Sequence, residues 1–370
     1  MAASGPAHSV IPRTLRAEQL KRLSFLCGLP LSGRKDELIA RLTAAASHPA
    51  APPPKPRTGP VILSIDLGIR NLAFSLLTPV VPSTRKTGTK SKKATSPVLL
   101  GTSPPAIKLH AWQRLSLLEG PASASSQDGD EDVLEVPATT TEAFSPAALA
   151  KTANAFLQDT VLQLKPLPTH ILIERQRWRT GGAAAIQQWT VRVNTLEAML
   201  HASLHTLRDL GAWDGDVVCI QPQRVGQLFL DGLDLGTKTV VRTEEPEDDD
   251  GDASTSKPRR RRAGGAKSNA EAKKLKIELL AGWLGQGDLV VQPGNVKAGH
   301  MLDAYRRASD GAKRKRSKRV AEKNAEGGPL TLDRKLDDLT DSLMQGMAWL
   351  RWQDNTALLR LENGVEKLLG

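Results

Sequence analysis

The stretch that decides the fold runs from Val61 to Leu77, VILSIDLGIRNLAFSLL. It predicts two short apolar strands joined by a turn, because apolar residues dominate on both sides of Asp66 and Gly68. Gly68 permits a tight turn and lets a phosphate approach the backbone. Asp66 is unexpected here, since a buried carboxylate costs several kcal/mol unless it is paired or binds a metal. Another part of the chain must therefore compensate its charge.

Outside this hairpin, strand and helix patterns alternate, which predicts an α/β domain with a mixed sheet. The predicted strands are 61–67, 70–78, 107–117, 169–174, 216–221 and 288–292. The predicted helices are 146–164, 184–210, 223–230, 268–284 and 334–351. The helix at 268–284 carries apolar residues along one face, and we interpret that face as core packing alone.

The composition indicates the kind of partner. The chain has 370 residues, 39% of them apolar, and a net charge of +11, which favours a polyanion such as nucleic acid. No apolar run approaches the roughly 20 residues that span a bilayer, so we expect no membrane segment. The two cysteines, Cys27 and Cys219, are far apart and lack metal-ligand spacing. That spacing argues against a disulfide scaffold and against a zinc site.

Composition also divides the chain into segments. Residues 1–13 are a candidate targeting segment, because the N-terminus is basic and has no acid before Glu18. A Pro-rich linker is predicted at 47–60, and a globular domain at 61–370. Low-complexity, charged insertions interrupt that domain near 80–106, 119–142, 242–266 and 306–328. Such blocks are typical of solvated insertions.

Residues 14–46, TLRAEQLKRLSFLCGLPLSGRKDELIARLTAAA, predict two helices separated by a break at Gly28 and Pro30. This stretch resembles the SAP motif, a helix–turn–helix module that binds DNA. The resemblance implies that Arg34 and Lys35 contact DNA. The alternative is an ordinary helical hairpin without a DNA-binding role.

Acidic residues at three places in the chain indicate its function. Asp66 ends one apolar strand, and Glu174 ends another, within THILIERQRWRTGG. The third is a helical group in KLDDLTDSLMQGMAWL, where Asp341 lies one turn from both Asp337 and Asp338. Taken singly, each acid could cap a turn or helix, or pair with a nearby arginine. Taken together they would meet at one edge of the sheet, and four carboxylates suit Mg²⁺ or Mn²⁺.

The order of these motifs resembles the ribonuclease H-like nuclease superfamily and, within it, the fungal mitochondrial Holliday junction resolvases, which are related to the bacterial and poxvirus junction resolvases. The resemblance rests on three motifs, which are D-x-G-x-x-N at Asp66–Asn71, LIERQRWR and KLDDLTDSLMQGMAWL. The resemblance implies catalytic acids at Asp66, Glu174 and Asp341, with Asp337 or Asp338 as the fourth. It also implies a Mg²⁺-dependent endonuclease of DNA recombination and repair that acts in mitochondria, as a homodimer, without a small-molecule cofactor.

The implied chemistry is two-metal phosphodiester hydrolysis, with two Mg²⁺ ions per site and Mn²⁺ as a substitute. The products would carry 5′-phosphate and 3′-hydroxyl ends. A four-way junction needs two symmetric cuts, which a twofold dimer would supply. We expect helix 184–210 to contribute to that dimer. His201 and His205 lie one turn apart on this helix, but no third ligand is evident, so the sequence does not predict zinc there.

Basic and aromatic residues near the acids are candidates for DNA contact. Guanidinium groups bind phosphates, and an aromatic ring can stack on a base or wedge a junction. The candidate residues are Arg70, Arg175, Arg177, Trp178, Arg179 and Lys335. Core packing is the alternative for Trp178. The basic run KRKRSKR at 313–319 is compatible with DNA contact, with a nuclear localisation signal or with a solvated loop.

Three other functions fit parts of the sequence. A non-catalytic, architectural DNA-binding protein would use the SAP-like unit and the basic segments, but it would gain nothing from acids facing phosphate. An actin-like sugar kinase also begins with D-x-G, yet the chain lacks the second phosphate loop and the adenosine motif. A nuclease acting on an RNA–DNA hybrid shares every feature above, and only assays distinguish it.

Overall fold

The hairpin predicted from Val61–Leu77 forms the centre of the sheet. The computed structural model describes residues 11–47, 59–80, 102–118, 141–176, 187–230, 265–286, 291–314 and 336–370. Its strands are β1 Ile62–Asp66, β2 Leu72–Pro79, β3 Ile107–Leu115, β4 His170–Glu174, β5 Asp216–Ile220 and β6 Val291–Pro293. Its α-helices are α1 Ala17–Leu26, α2 Lys35–Ser47, α3 Pro146–Ala155, α4 Gln188–Asp209, α5 Pro222–Leu230, α6 Gly265–Gln286, α7 Val296–Arg314, α8 Asp337–Leu358 and α9 Gly364–Leu369.

The sheet is mixed, and its strand order is β5-β4-β1-β2-β3-β6. Strands β1, β2 and β3 pair antiparallel in sequence order, as in a meander, with a short turn between β1 and β2 and the longer segment 80–106 between β2 and β3. Strands β4 and β5 run parallel to β1, and β6 runs parallel to β3 at the other edge. The predicted α/β class, with a mixed sheet flanked by helices, is therefore confirmed.

The turn after Asp66 requires its glycine. A Cβ atom on Gly68 would lie 2.8 Å from the carbonyl oxygen of Asn71, closer than real contacts allow. The chain can therefore reverse immediately after Asp66 and return as β2, with Asp66 opposite Ala73. The turn thus places the carboxylate at the very end of its strand.

The two faces of the sheet bury different helices. Leu63 and Ile65 of β1 belong to a hydrophobic cluster with α3 and α4. Ile62 belongs to the cluster formed with α8 and the helices around it. Because side chains alternate along a strand, Asp66 lies on the same face as Ile62 and Ser64. The acid therefore lies on the α8 face of the sheet.

Helix α8 packs unusually close to the strands. A Cβ atom on Gly346 would lie 2.6 Å from Leu77 Cδ2 and 3.3 Å from Ser64 Cβ. Two side chains of the sheet also donate to backbone carbonyls of the helix, Ser75 Oγ to Ser342 at 3.0 Å and Trp112 Nε1 to Leu339 at 2.9 Å. These contacts set the position of α8 along the sheet as well as its distance from it.

The N-terminal helices α1 and α2 pack onto this same layer. Asn355 Nδ2 donates to the Leu26 carbonyl at 2.6 Å, and Arg360 Nε donates to the Ala46 carbonyl at 3.0 Å. Gly28 has a φ of +69°, and a Cβ atom there would lie 2.5 Å from the Trp352 ring. The two predicted helices are present, but they share one hydrophobic cluster with α8 and α9.

Several parts of the chain differ from the prediction. Helix α7 was not predicted, and it extends to Arg314, into the insertion assigned near 306–328. Its core residues Leu302 and Tyr305 stand among many charged residues, which hides the helical pattern. Helix α9 was also not predicted. The targeting segment up to residue 10, most of the linker and most of the insertions lie outside the described residues. Within the described parts, no helix is long and apolar enough to cross a membrane.

Replacing Gly346 with alanine should destabilise the protein by about 1–3 kcal/mol, because the added methyl group overpacks the junction of α8 with β1 and β2. Chemical denaturation measures the change. Gly282→Ala in α6 is the matched control, since nothing lies within 4 Å of its Cβ position. The control should stabilise by roughly 0.5–1 kcal/mol through helix propensity. Equal effects of the two substitutions would contradict the close packing of α8.

Candidate active site

The pairing of β1 with β4 brings the first two acids together. Ile65 lies opposite Ile173 in this parallel pair, so Asp66 and Glu174 are the next residues of their strands. Glu174 shares the α8 face, because Leu172 packs in the α8 cluster while Ile171 and Ile173 pack on the other face. Since parallel strands end at the same edge, the two carboxyl groups meet there and share a hydrogen bond.

Helix α8 adds Asp338 and Asp341. Asp341 lies one turn before Gln345, whose amide donates to the carbonyls of Ile65 at 3.2 Å and Leu172 at 3.4 Å. Those carbonyls lie on the two strands that carry the acids, next to Asp66 and close to Glu174. Gln345 therefore anchors the helical acids to the strand acids. The sequence did not identify Gln345, because its partners are known only once the elements have packed.

Negatively charged groups surround Asp66 and oppose its ionisation. Removal from water raises the pKa of Asp66 well above its usual value, and the hydrogen bond and charge of Glu174 raise it further. The charges of Asp341 and Asp338 act in the same direction. The three neighbouring carboxyl groups thus disfavour the ionisation of Asp66, which is the situation that a bound cation relieves. The sheet edge predicted from the sequence does bring these four acids together.

Two lysines of α6 form ion pairs with acids of α8 and offset part of their negative charge. Lys276 Nζ donates to Asp341 Oδ1 at 2.5 Å, and Lys273 Nζ donates to Asp337 Oδ2 at 2.8 Å. The sequence interpretation of α6 as core packing alone was therefore incomplete. The sequence did contain a sign of this role. In the lysine-rich run EAKKLKIELL, Lys273 and Lys276 lie one turn apart, next to the apolar residues of the helix. The pairing itself joins residues more than sixty positions apart.

The same contacts distinguish Asp337 from Asp338, which helical spacing alone did not. Burial opposes the ionisation of Asp337, but the hydrogen bond and charge of Lys273, together with backbone N–H donors, outweigh burial and lower the pKa of this carboxyl. Asp338, in contrast, is one of the charges that raise the pKa of Asp66. Asp337 therefore belongs to the ion pair with α6, and Asp338 belongs to the cluster around Asp66.

The donor set fits a hard divalent cation. All four side chains offer carboxylate oxygen, the ligand type of Mg²⁺ and Mn²⁺. The two ammonium groups already pair with acids of the same helix, which shows that cations are accommodated at this edge. The residues of the cluster are therefore suited to hold the metal that the sequence predicted.

The predicted DNA-contacting residues are only partly described. Arg70 is exposed in the β1–β2 turn, and Arg175 is exposed directly after Glu174. Arg177, Trp178, Arg179 and Lys335 lie outside the described residues. Arg34 and Lys35 are exposed at the start of α2. Their helical unit packs near Trp352 and Asn355, about 16–21 Å along α8 from Asp341 at 1.5 Å per residue.

The chain was compared with known proteins. Residues 62–359 match the family model described as mitochondrial resolvase Ydc2 / RNA splicing MRS1. A mitochondrial protein of Schizosaccharomyces pombe, cruciform cutting endonuclease 1, is 30% identical over 189 residues, which are 51% of this chain and 55% of that protein. The match thus spans about half the length of this relative. The crystal structure of the yeast mitochondrial Holliday junction resolvase Ydc2 aligns with a TM-score of 0.48 and 21% identity, over 92% of this chain and 94% of that one.

Asp66→Asn should raise the melting temperature of the metal-free protein at neutral pH, by about 2 °C. The raised pKa means that the folded state prefers protonated Asp66, so its charge destabilises the fold above the unfolded pKa. The difference between the variant and the native protein should shrink as the pH falls through the raised pKa. Mg²⁺ should stabilise the native protein and have little effect on the variant.

Thermal unfolding at several pH values, with and without Mg²⁺, measures both effects. Asp303→Asn is the control, because this carboxylate is exposed on α7 and is not among the groups that raise the pKa of Asp66. A metal-free Asp66→Asn protein that melts below the native protein at neutral pH would contradict the charge repulsion inferred here.

Proposed function

We propose that this chain, which belongs to the mitochondrial resolvase Ydc2 / RNA splicing MRS1 family, is a structure-selective endonuclease that resolves four-way DNA junctions. The observation that carries the proposal is the carboxylate cluster at the edge of the sheet, formed by Asp66, Glu174, Asp338 and Asp341. A protein that only binds DNA would be weakened by acids facing phosphate. A metal-dependent nuclease requires them.

The four acids would hold Mg²⁺, with Mn²⁺ as a substitute, and two ions per site are proposed from the family resemblance. Held by these acids, the metal would supply activation of water and stabilisation of the leaving 3′-oxygen, so the products would carry 5′-phosphate and 3′-hydroxyl ends. The chain positions the ligands beforehand: the β1–β4 register aligns Asp66 with Glu174, and Gln345 fixes the turn of α8 that follows Asp341. Lys276 holds the Asp341 carboxylate in place.

Phosphate recognition would come from arginines around the same edge. Arg70 is exposed in the turn that follows Asp66, and Arg175 is exposed directly after Glu174. Both can bind the backbone of the cleaved strand. We also propose DNA contacts for Arg177, Trp178, Arg179 and Lys335, which follow or precede the acids in sequence. The net charge of +11 favours such a substrate.

We propose a twofold homodimer, because two symmetric cuts in a junction need two identical sites in a fixed relation. Helix α4 is the proposed interface element. In its first turn Trp189 is 41% exposed, which leaves apolar surface that a partner could cover. A mitochondrial location is proposed from the family and from the name of the Schizosaccharomyces pombe relative.

A second candidate substrate is structured RNA. The family description joins resolvases with a protein of RNA splicing, and a ribonuclease H-like site could also act on an RNA–DNA hybrid. The acid cluster does not distinguish these substrates, because the metal contacts phosphate in each of them. Cleavage assays with each substrate distinguish them.

With Mg²⁺, the native protein should introduce paired symmetric nicks in a four-way junction and leave linear duplex, flap and RNA–DNA hybrid intact. Asp66→Asn should reduce the rate on the order of 10³-fold or more, because it removes a ligand of the metal that supplies several kcal/mol to the transition state. Binding of the junction should persist. Labelled substrates on denaturing gels measure cleavage, and mobility shifts measure binding.

A normal rate for Asp66→Asn would disprove the metal site, whereas preferential cleavage of an RNA–DNA hybrid would replace the proposed substrate. Asp303→Asn serves as the matched control, since it removes an exposed carboxylate outside the cluster. Binding without cleavage in both Mg²⁺ and Mn²⁺ would favour the architectural role.

The N-terminal helical unit is proposed to bind DNA through Arg34 and Lys35. Deleting the unit is a poor test, because α1 and α2 share their hydrophobic cluster with α8 and α9. The double substitution of Arg34→Ala with Lys35→Ala should instead weaken junction binding and reduce the slope of log affinity against log salt by about 2. Lys151→Ala, exposed on α3, is the control on the opposite face. Unchanged affinity and slope would make the unit purely structural.

A further inference from the structure

A second group of metal-ligating side chains lies beside the edge strand β5. Glu197 and His201 stand one turn apart on α4, and Cys219 stands on β5. One ligand atom from each of the three residues lies within 4.8 Å of the other two. Cys219 Sγ and His201 Nε2 are 3.4 Å apart. The three side chains therefore converge on one point from two separate elements.

This group lies on the opposite face of the sheet from the acid cluster. Cys219 shares its strand face with Val217, which packs in the cluster formed with α3 and α4. Asp66 and Glu174 lie on the face covered by α8. The two groups therefore do not compete for one ion, although they are close along the strands, since Cys219 pairs with Ile173 next to Glu174.

We propose that Glu197, His201 and Cys219 form a zinc-binding site with an open fourth position. A tetrahedral ion at about 2.3 Å from sulfur and 2.0 Å from nitrogen holds these two ligands roughly 3.5 Å apart. The observed separation of 3.4 Å matches that distance. Thiolate, imidazole and carboxylate together favour Zn²⁺ over Mg²⁺, because Mg²⁺ prefers oxygen ligands alone.

No zinc site was predicted from the sequence, because the two cysteines lack metal-ligand spacing and no third ligand is evident near His201 and His205. The structure supplies the missing ligands from elsewhere: Glu197 replaces His205 as the helical partner of His201, and Cys219 comes from the neighbouring strand. A single cysteine in a site built from two elements leaves no spacing motif in the sequence.

The site would also order the chain that follows Glu174. The Gln176 backbone N–H donates to Glu197 Oε2 at 3.1 Å, and the Arg175 N–H donates to the Ile220 carbonyl at 2.8 Å. A carboxylate accepts several bonds, so the contact with Gln176 leaves Glu197 able to bind metal and orients it as an outer partner would. The ion would thus link α4 and β5 to the start of the proposed DNA-contacting segment. This positioning role is independent of whether the protein cleaves junctions.

Cobalt(II) titration tests the proposal on the intact protein, without oxygen and with a reductant that contains no thiol. We expect one Co²⁺ per chain to give a near-ultraviolet thiolate-to-metal charge-transfer band, which Zn²⁺ then displaces. The carboxylate cluster contains no sulfur and cannot produce this band. Asp66→Asn should therefore keep it, as should His205→Gln, the matched histidine one turn further along α4.

Cys219→Ser should abolish the band, and His201→Gln should weaken Zn²⁺ affinity at least about tenfold in competition with a chelator. Glu197→Gln retains an acceptor for the Gln176 N–H and should still weaken the affinity, which separates ligation from local folding. Circular dichroism verifies that each variant is folded. Absence of the band in the native protein, or its persistence in Cys219→Ser, would overturn the proposal and leave a simple cysteine–histidine hydrogen bond.

Discussion

The close packing of α8 against β1 and β2 is the constraint on which the rest of the structure depends. At Gly346 the helix comes so near the sheet that a single Cβ atom would meet Leu77 and Ser64. Hydrogen bonds from Ser75 and Trp112 to its carbonyls, and from Gln345 to the strand carbonyls, then fix its position along the strands. Because Asp338 and Asp341 are carried by this helix, their distance from Asp66 and Glu174 follows from that packing.

The same packing gathers negative charge at a cost in stability. Asp66 is held among three other carboxyl groups, so its ionisation is disfavoured even before a substrate phosphate arrives. Lys273 and Lys276 offset part of this charge through Asp337 and Asp341. Functional sites often retain such unfavourable groups because activity requires them. Here α6 contributes to the core with its apolar residues and to the charge balance with its lysines.

The sheet separates two kinds of chemistry. Its α8 face carries the all-oxygen cluster suited to Mg²⁺, and its α4 face carries the mixed group of Glu197, His201 and Cys219. The side-chain alternation of β4 and β5 produces this separation, since neighbouring residues of a strand point to opposite faces. Directly after Glu174, the backbone N–H groups of Arg175 and Gln176 donate to the Ile220 carbonyl and to Glu197. These two residues are thus held beside both groups.

The sequence by itself determined the central hairpin, most of the helices and strands, and the acids at the strand ends, because these features depend on local periodicity and on charges placed within apolar runs. It also placed Asp341 one turn from its neighbours. Only the tertiary structure separated Asp338 from Asp337, introduced Lys273, Lys276 and Gln345, and brought Cys219 to His201. It also showed that α1 and α2 pack onto α8. Each of these facts is a contact between residues on separate elements, and local patterns report which face of an element is buried but not which partner buries it.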